Sequence, residues 1–165
     1  GAKKVYAVDV GYGQLAWSIR NDPRVVCLAR TNARYLTTQQ ISEPLDFVSI
    51  DVSFISLGLI LPALRPLMAA EGQIAALVKP QFEAGKDKVG KKGVVRDPAV
   101  HVEVLEHFLI HAQKADFSVC GLNFSPIRGP EGNIEYLGYL KIGAGEELSA
   151  DLKELVERSH QALKG

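Results

Sequence analysis

Three apolar runs in this chain each finish on an ionisable residue, and that pattern restricts the possible folds more than any other feature. Lys3–Asp9 (KKVYAVD) and Leu45–Asp51 (LDFVSID) close on acids, and Gln73–Lys79 (QIAALVK) closes on a lysine followed by Pro80. Arg24–Leu28 (RVVCL), after the turn signal Asn21-Asp22-Pro23, adds a fourth β-rich run. Between these runs stand stretches of helical spacing: Leu15–Arg20, then Ser56–Met68 with Leu57, Ile60, Leu61 and Leu64. Pro62 and Pro66 predict a kink or an early end in the second stretch, and Glu71-Gly72 a turn after it. Asp97-Pro98 supplies an N-cap and a first-turn proline for a helix running to Ala115.

Strands alternating with helices predict an α/β fold with a mostly parallel, Rossmann-like sheet covered on both faces. Asp116–Ser125 and Ile134–Ile142 are joined by the turn-rich stretch SPIRGPEGN, so they predict an antiparallel hairpin at one edge. An amphipathic helix over Glu146–Lys164 closes the chain, with Leu148, Leu152, Leu155, Val156 and Leu163 on its apolar side. The expected division is one domain over 1–145 and a C-terminal helix over 146–165.

Composition narrows the function classes. At 165 residues the chain has the length of one domain with a real core. Its 19 Lys and Arg balance 19 Asp and Glu, so any nucleic acid must be held by a local basic patch rather than by bulk charge. The 47% hydrophobic and 23% charged fractions exclude a disordered chain. No apolar run approaches the roughly 18 residues of a membrane span. Cys27 and Cys120 are too few and too far apart for a disulfide scaffold or a four-ligand zinc site. In VVCLA and FSVCGL they look like buried free thiols, which predicts a reduced, cytoplasmic setting.

In open α/β sheets, ligands bind outside the carboxyl ends of the strands. Asp9, Asp51 and Lys79 occupy predicted strand ends, and Glu135 lies in the final hairpin. Each has a plainer account. Asp9 can cap the next turn, Asp51 the helix after Ser-Phe-Ile-Ser, Lys79 can be a solvated strand end, and Glu135 the polar side of an edge strand. Four such residues converging on one rim favour a site.

Four segments carry a resemblance: Asp51-Val52-Ser53-Phe54-Ile55-Ser56-Leu57, Leu77-Val78-Lys79-Pro80-Gln81-Phe82-Glu83, Gly93-Val94-Val95-Arg96-Asp97-Pro98, and Ser125 to Leu137 (SPIRGPEGNIEYL). In this order they resemble the TlyA/hemolysin-A-type RNA methyltransferases, a group within the FtsJ-like 2′-O-ribose methyltransferases. The resemblance covers nearly the whole chain short of its tail. It implies an S-adenosyl-L-methionine (S-adenosylmethionine) cofactor, ribosomal RNA or a ribosomal subunit as partner, and a Lys-Asp-Lys-Glu catalytic set.

Asp51, Lys79 and Glu135 match three members of that set. The first lysine, the glycine-rich cofactor loop and a small S4-like RNA-binding domain would lie upstream of Gly1. The resemblance therefore implies an N-terminally incomplete chain that lacks the first strand, binds cofactor weakly and does not methylate RNA alone. Methyl transfer from a sulfonium to a ribose hydroxyl needs in-line positioning and loss of a weakly acidic proton. Lys79 would accept that proton if neutral, or stabilise the developing alkoxide if charged, and the sequence leaves both roles open. Asp51 would hold the lysine and face the methyl donor, and Glu135 would orient Lys79 or the ribose.

Asp9 is the candidate for the ribose hydroxyls of the cofactor, and Asn32, in Thr31-Asn32-Ala33-Arg34, for its adenine, with a plain turn role for Asn32 as the alternative. Gly11-Tyr12-Gly13 lacks the third glycine of a phosphate loop and is set aside. From Gln81 to Asp97 the periodicity fails, and Lys86, Lys88, Lys91, Lys92 and Arg96 make this stretch the candidate RNA contact, against a solvated flexible loop. His107 and His111 share a helix face at metal-binding spacing, but without a zincin glutamate they predict surface histidines and no metal. Two competing classes remain: a hemolysin-like cytolytic protein, which calls for a membrane-active segment, and a non-catalytic RNA-binding module. Asp51, Lys79 and Glu135 standing together argue against the second.

Overall fold

The computed structural model describes residues 1–11, 15–145 and 148–164. Tyr12, Gly13 and the predicted tail-helix start at Glu146 therefore lie outside the described residues. The elements run β1 (Val5–Val8), α1 (Trp17–Arg20), β2 (Val25–Leu28), β3 (Leu45–Ile50), α2 (Leu57–Leu64), β4 (Met68–Val78) and α3 (Pro80–Glu83). They continue with α4 (Pro98–Lys114), β5 (Phe117–Phe124), β6 (Tyr136–Ile142) and α5 (Leu152–Ala162).

β1 and β2 pair in parallel as a two-stranded sheet. The other four strands follow the order β3-β4-β6-β5, with β3 and β4 parallel and β6 antiparallel to both its neighbours. The fold is α/β and Rossmann-like, and the sheet is mostly parallel with an antiparallel hairpin strand, as expected: β4 and β5 both run against β6, so β3, β4 and β5 share one direction and β6 reverses. The hairpin stands at one edge as expected. Its returning strand β6 takes the inner place, with Tyr136 and Leu140 fully buried.

Local chemistry sets the helices. Ser56 caps α2, its Oγ accepting from the Gly58 N–H at 3.1 Å, so the cap is Ser56 and not Asp51. Asp97 caps α4, its Oδ1 accepting from the Ala99 N–H at 2.9 Å, with Pro98 in the first turn. α4 packs against α2 and α5, and Leu61, Leu105, Phe108 and Val156 meet Ile74, Ala76, Val78 and Leu140 of the sheet in one core. Gly138 makes that approach possible, because a Cβ there would stand 2.5 Å from Phe108 Cζ.

Three expectations fail for identifiable reasons. Coverage of both sheet faces fails: Phe47 of β3 and Leu137 of β6 are exposed, and α1 buries no residue. Glu71-Gly72 is not a turn, because β4 begins at Met68, paired with Leu45 across a register shift before Phe47. The cysteines are not buried. Cys120 sits at the register shift between Val119 and Gly121, which takes it out of the β5–β6 ladder, and Cys27 lies on β2, whose one ladder partner among the described residues is β1.

His101 of α4 is fully buried. Its Nε2 stands 2.9 Å from the Val95 carbonyl, an acceptor, so that nitrogen carries the proton. Nδ1 is then an acceptor, 2.9 Å from His160 Nε2 and 3.0 Å from Tyr136 Oη. Burial holds its pKa down to about 4, against 6.5 for a free histidine. The unfolded chain therefore takes the proton first, so this contribution to stability is complete above pH 6.5 and is lost as pH falls towards 4. Urea unfolding is expected to show roughly 2 kcal/mol less stability at about pH 5 than at about pH 7.5. Equal stability at the two pH values would contradict a neutral buried His101.

Candidate active site

The strand registers bring the rim residues together. Ile50 pairs with Ala76, so Asp51 leaves β3 beside the last residues of β4. Val78 pairs with Tyr136, which puts Lys79 and Glu135 one rung beyond the end of the β4–β6 ladder. Asp51 Oδ1 stands 2.5 Å from Lys79 Nζ. The Lys79 side chain is only 11% exposed, so it is not a solvated strand end, whereas Asp51 is largely in solvent. A poorly hydrated ammonium is costly unless paired, and Asp51 supplies the pair.

Glu135 is 6% exposed and precedes an inner strand, which excludes the plain edge-strand account. Its Oε2 accepts from Gln81 Nε2 at 3.0 Å, so the described contact is to Gln81 rather than to Lys79. The carboxylate lies over Gly129, where a Cβ would stand 2.6 Å from Glu135 Cδ. Gln81 Oε1 is buried and has no hydrogen-bond partner among the described residues.

The two motif segments after β3 and β4 mate at three levels. Asp51 meets Lys79, the rings of Phe54 and Phe82 lie 4.8 Å apart, and Glu83 closes the row. Glu83 accepts from Ser56 Oγ at 2.7 Å and from the Leu57 N–H at 2.9 Å, and burial raises its pKa. Phe54 is 90% exposed and has φ of +65°, a left-handed conformation that costs a bulky residue on the order of 1–3 kcal/mol. Phe54 is thus an exposed aromatic in strained backbone three residues past Asp51, and a candidate member of the site. The available signal was the spacing: Phe54 and Phe82 each stand three positions after Asp51 and Lys79.

Asp9 and Asn32 lie together at the other sheet. The Thr31 N–H donates to the Asp9 carbonyl at 2.8 Å, and the Arg30 N–H to the Gly11 carbonyl at 3.0 Å. Both side chains also serve local turns: Asp9 Oδ1 accepts from the Gly11 N–H, and Asn32 Oδ1 from the Arg34 N–H, each at 3.0 Å. Asp9 Oδ2 and Asn32 Nδ2 have no hydrogen bond among the described residues. An acceptor oxygen and an amide donor fit ribose hydroxyls and a purine ring nitrogen. β1 and β3 are not ladder partners, so Asp9 does not end a strand adjacent to that of Asp51.

Lys86, Lys88, Lys91, Lys92 and Arg96 are all exposed, but they do not ride on a featureless loop. Short 3₁₀ turns form at Lys86–Lys88 and Lys91–Gly93, and Lys88 is paired with Glu103 at 2.6 Å. His107 and His111 have ring centroids 6.4 Å apart, and among the described residues no group of three or more metal-ligating side chains exists. No helix among the described residues is long and apolar enough to cross a membrane.

The model of the FtsJ-like methyltransferase family matches residues 1–142. The chain is 48% identical to the 16S/23S rRNA (cytidine-2′-O)-methyltransferase TlyA of Mycobacterium tuberculosis, over 99% of this chain and 60% of that protein. A solved structure named as a hemolysin, from Streptococcus thermophilus, superposes with a TM-score of 0.92 at 48% identity, over 99% of this chain and 60% of that one. An S-adenosylmethionine-dependent methyltransferase from Listeria monocytogenes shares the fold alone: TM-score 0.58 at 16% identity, over 87% of this chain and 82% of that one. The chain thus spans about 60% of the length of the curated relatives it matches. On the family match and these identities together, the chain belongs to the FtsJ-like methyltransferases.

Proposed function

We propose that this chain carries the catalytic part of an S-adenosylmethionine-dependent methyltransferase that modifies a 2′-hydroxyl of ribosomal RNA. The observation that carries the proposal is the Asp51–Lys79 ion pair at the strand ends, with Glu135 across from Lys79, one rung beyond the β4–β6 ladder. S-adenosylmethionine supplies a methyl group on a positively charged sulfur. Lys79 Nζ meets the attacking hydroxyl: as a neutral amine it takes the hydroxyl's proton, and as the ammonium that Asp51 fixes it stabilises the developing alkoxide while the proton passes to solvent; Glu135, held by Gln81, orients the ribose. Asp9 would hold the ribose hydroxyls of the cofactor, and Asn32 would hold its adenine. Lys86, Lys91, Lys92 and Arg96 contact RNA phosphates, with Lys88 partly engaged by Glu103. β1 and β3 each keep one edge without a ladder partner among the described residues, which a first strand lying between them would fill.

The test is incubation of the full-length protein with ribosomal RNA and methyl-labelled S-adenosylmethionine. Label in the RNA is the expected result. Tight RNA binding with no label would instead favour a non-catalytic RNA-binding module.

Phe54 provides a second check. Its exposed ring offers a stacking surface for a base swung out of its helix, an interaction worth about 1–3 kcal/mol. Phe54→Gly removes both the ring and the backbone strain. The variant is expected to be at least as stable in thermal unfolding yet about tenfold or more weaker in kcat/KM for RNA. Unchanged kcat/KM would take Phe54 out of the site.

A further inference from the structure

We propose that Asn133 is a positioning residue that clamps the basic 86–96 loop to the strand end bearing Glu135; the inference rests on the RNA methyl transfer proposed above. Asn133 is 2% exposed, and both ends of its amide are engaged by one short stretch of the loop. Its Oδ1 accepts from the Val95 N–H at 3.0 Å, and its Nδ2 donates to the Gly93 carbonyl at 2.9 Å. From the other side, His101 Nε2 donates to the Val95 carbonyl at 2.9 Å. Both backbone groups of Val95 are therefore held by side chains, one from the turn before β6 and one from α4. Val94 and Val95 are buried, while Lys91, Lys92 and Arg96 beside them are exposed. Within the loop, the Gly90 N–H donates to the Val94 carbonyl at 2.9 Å, so the clamped residues also close the turn that carries Lys91 and Lys92.

The same asparagine is fixed from the catalytic side. Its carbonyl accepts from the N–H of Gly129, the residue beneath the Glu135 carboxylate, at 2.8 Å. The loop cations and Glu135 thus take their places from a single turn. Removing the amide leaves a buried N–H and a carbonyl without partners, which opposes the clamped arrangement and frees the loop. RNA would then meet the same charges on a loop no longer aligned with the rim.

The experiment compares wild type, Asn133→Ala and Asn133→Asp in the full-length protein, with Leu64→Ala as a core variant destabilised away from the clamp. In hydrogen exchange, amides of the 90–96 segment are expected to exchange about tenfold or more faster in Asn133→Ala but not in Leu64→Ala. Asn133→Asp keeps the acceptor for Val95 and is expected to fall between. With 23S ribosomal RNA as substrate, KM is expected to rise about tenfold in Asn133→Ala while cofactor Kd stays within about twofold. Lys91→Ala with Lys92→Ala should raise KM in wild type and add little in the Asn133→Ala background, the sign of one shared interaction. Unchanged loop exchange, a loosened loop with unchanged KM, or full additivity would each overturn the clamp. A wild-type protein that transfers no methyl group to RNA refutes the proposed function itself, whereas an active wild type matched in KM by Asn133→Ala refutes the clamp alone.

Discussion

Replacing Lys79 by alanine in the full-length protein is expected to slow methyl transfer about a thousandfold while leaving cofactor affinity within about twofold. The ammonium is shielded and its described charged partner is Asp51, which lies largely in solvent. Removing Lys79 therefore strands no buried charge, and the cost in stability stays near that of an exposed pair, about 1 kcal/mol or less. The loss falls on the chemistry, because no other described cation is paired at that strand end. Lys79→Arg separates the two roles. A guanidinium keeps the charge but does not give up its proton at neutral pH, so a base role predicts loss equal to that of alanine and an electrostatic role predicts partial activity. Calorimetric titration with cofactor beside a methylation assay makes both comparisons. Near-normal turnover by Lys79→Ala would remove the residue from the mechanism.

Gly129→Ala is expected to cost about a hundredfold in methyl transfer without unfolding the protein. Gly129 has φ of −74° and ψ of −177°, a conformation open to alanine, so the backbone pays no strain. The added methyl collides with the Glu135 carboxylate and drives it from the place where Gln81 holds it. Thermal unfolding should change little, while kcat falls. Glu135→Asp in the same background shortens the offending side chain and should recover part of the loss if steric displacement is the cause. Full activity in Gly129→Ala would show that the position of Glu135 does not matter to the reaction.

The strand ends were legible because their position follows from short-range pattern. Apolar runs terminate where the sheet does, so Asp9, Asp51 and Lys79 could be placed before any contact was known. Hydrogen-bond partners were not, because they depend on register. Glu135 meets Gln81 since β6 runs antiparallel to β4 and sets residue 135 beside residue 79, and strand order is not written in either segment. The inner place of β6 changed a half-exposed edge carboxylate into a buried one. Cys120 was misplaced for a similar reason, as a register shift has no composition signal at single-sequence level. Asn133 looked like one more turn residue in SPIRGPEGN, and its clamp on Val95 spans 38 positions of sequence. Phe54 lies in plain view in the segment after Asp51, but its exposure reverses the usual expectation that a phenylalanine beside Val52 and Ile55 is core.

Lys79 and Asp51 are proposed to act on a ribose hydroxyl, which fixes where the methyl group must be found. Mass spectrometry of nucleosides, from ribosomal RNA treated with the full-length protein and S-adenosylmethionine, tests this most directly. The expected product is a nucleoside carrying the added methyl group on its ribose, at the 2′-oxygen, and it should be absent when Lys79→Ala replaces wild type. A methyl group found on a base nitrogen or carbon, with every ribose unmodified, would contradict this assignment.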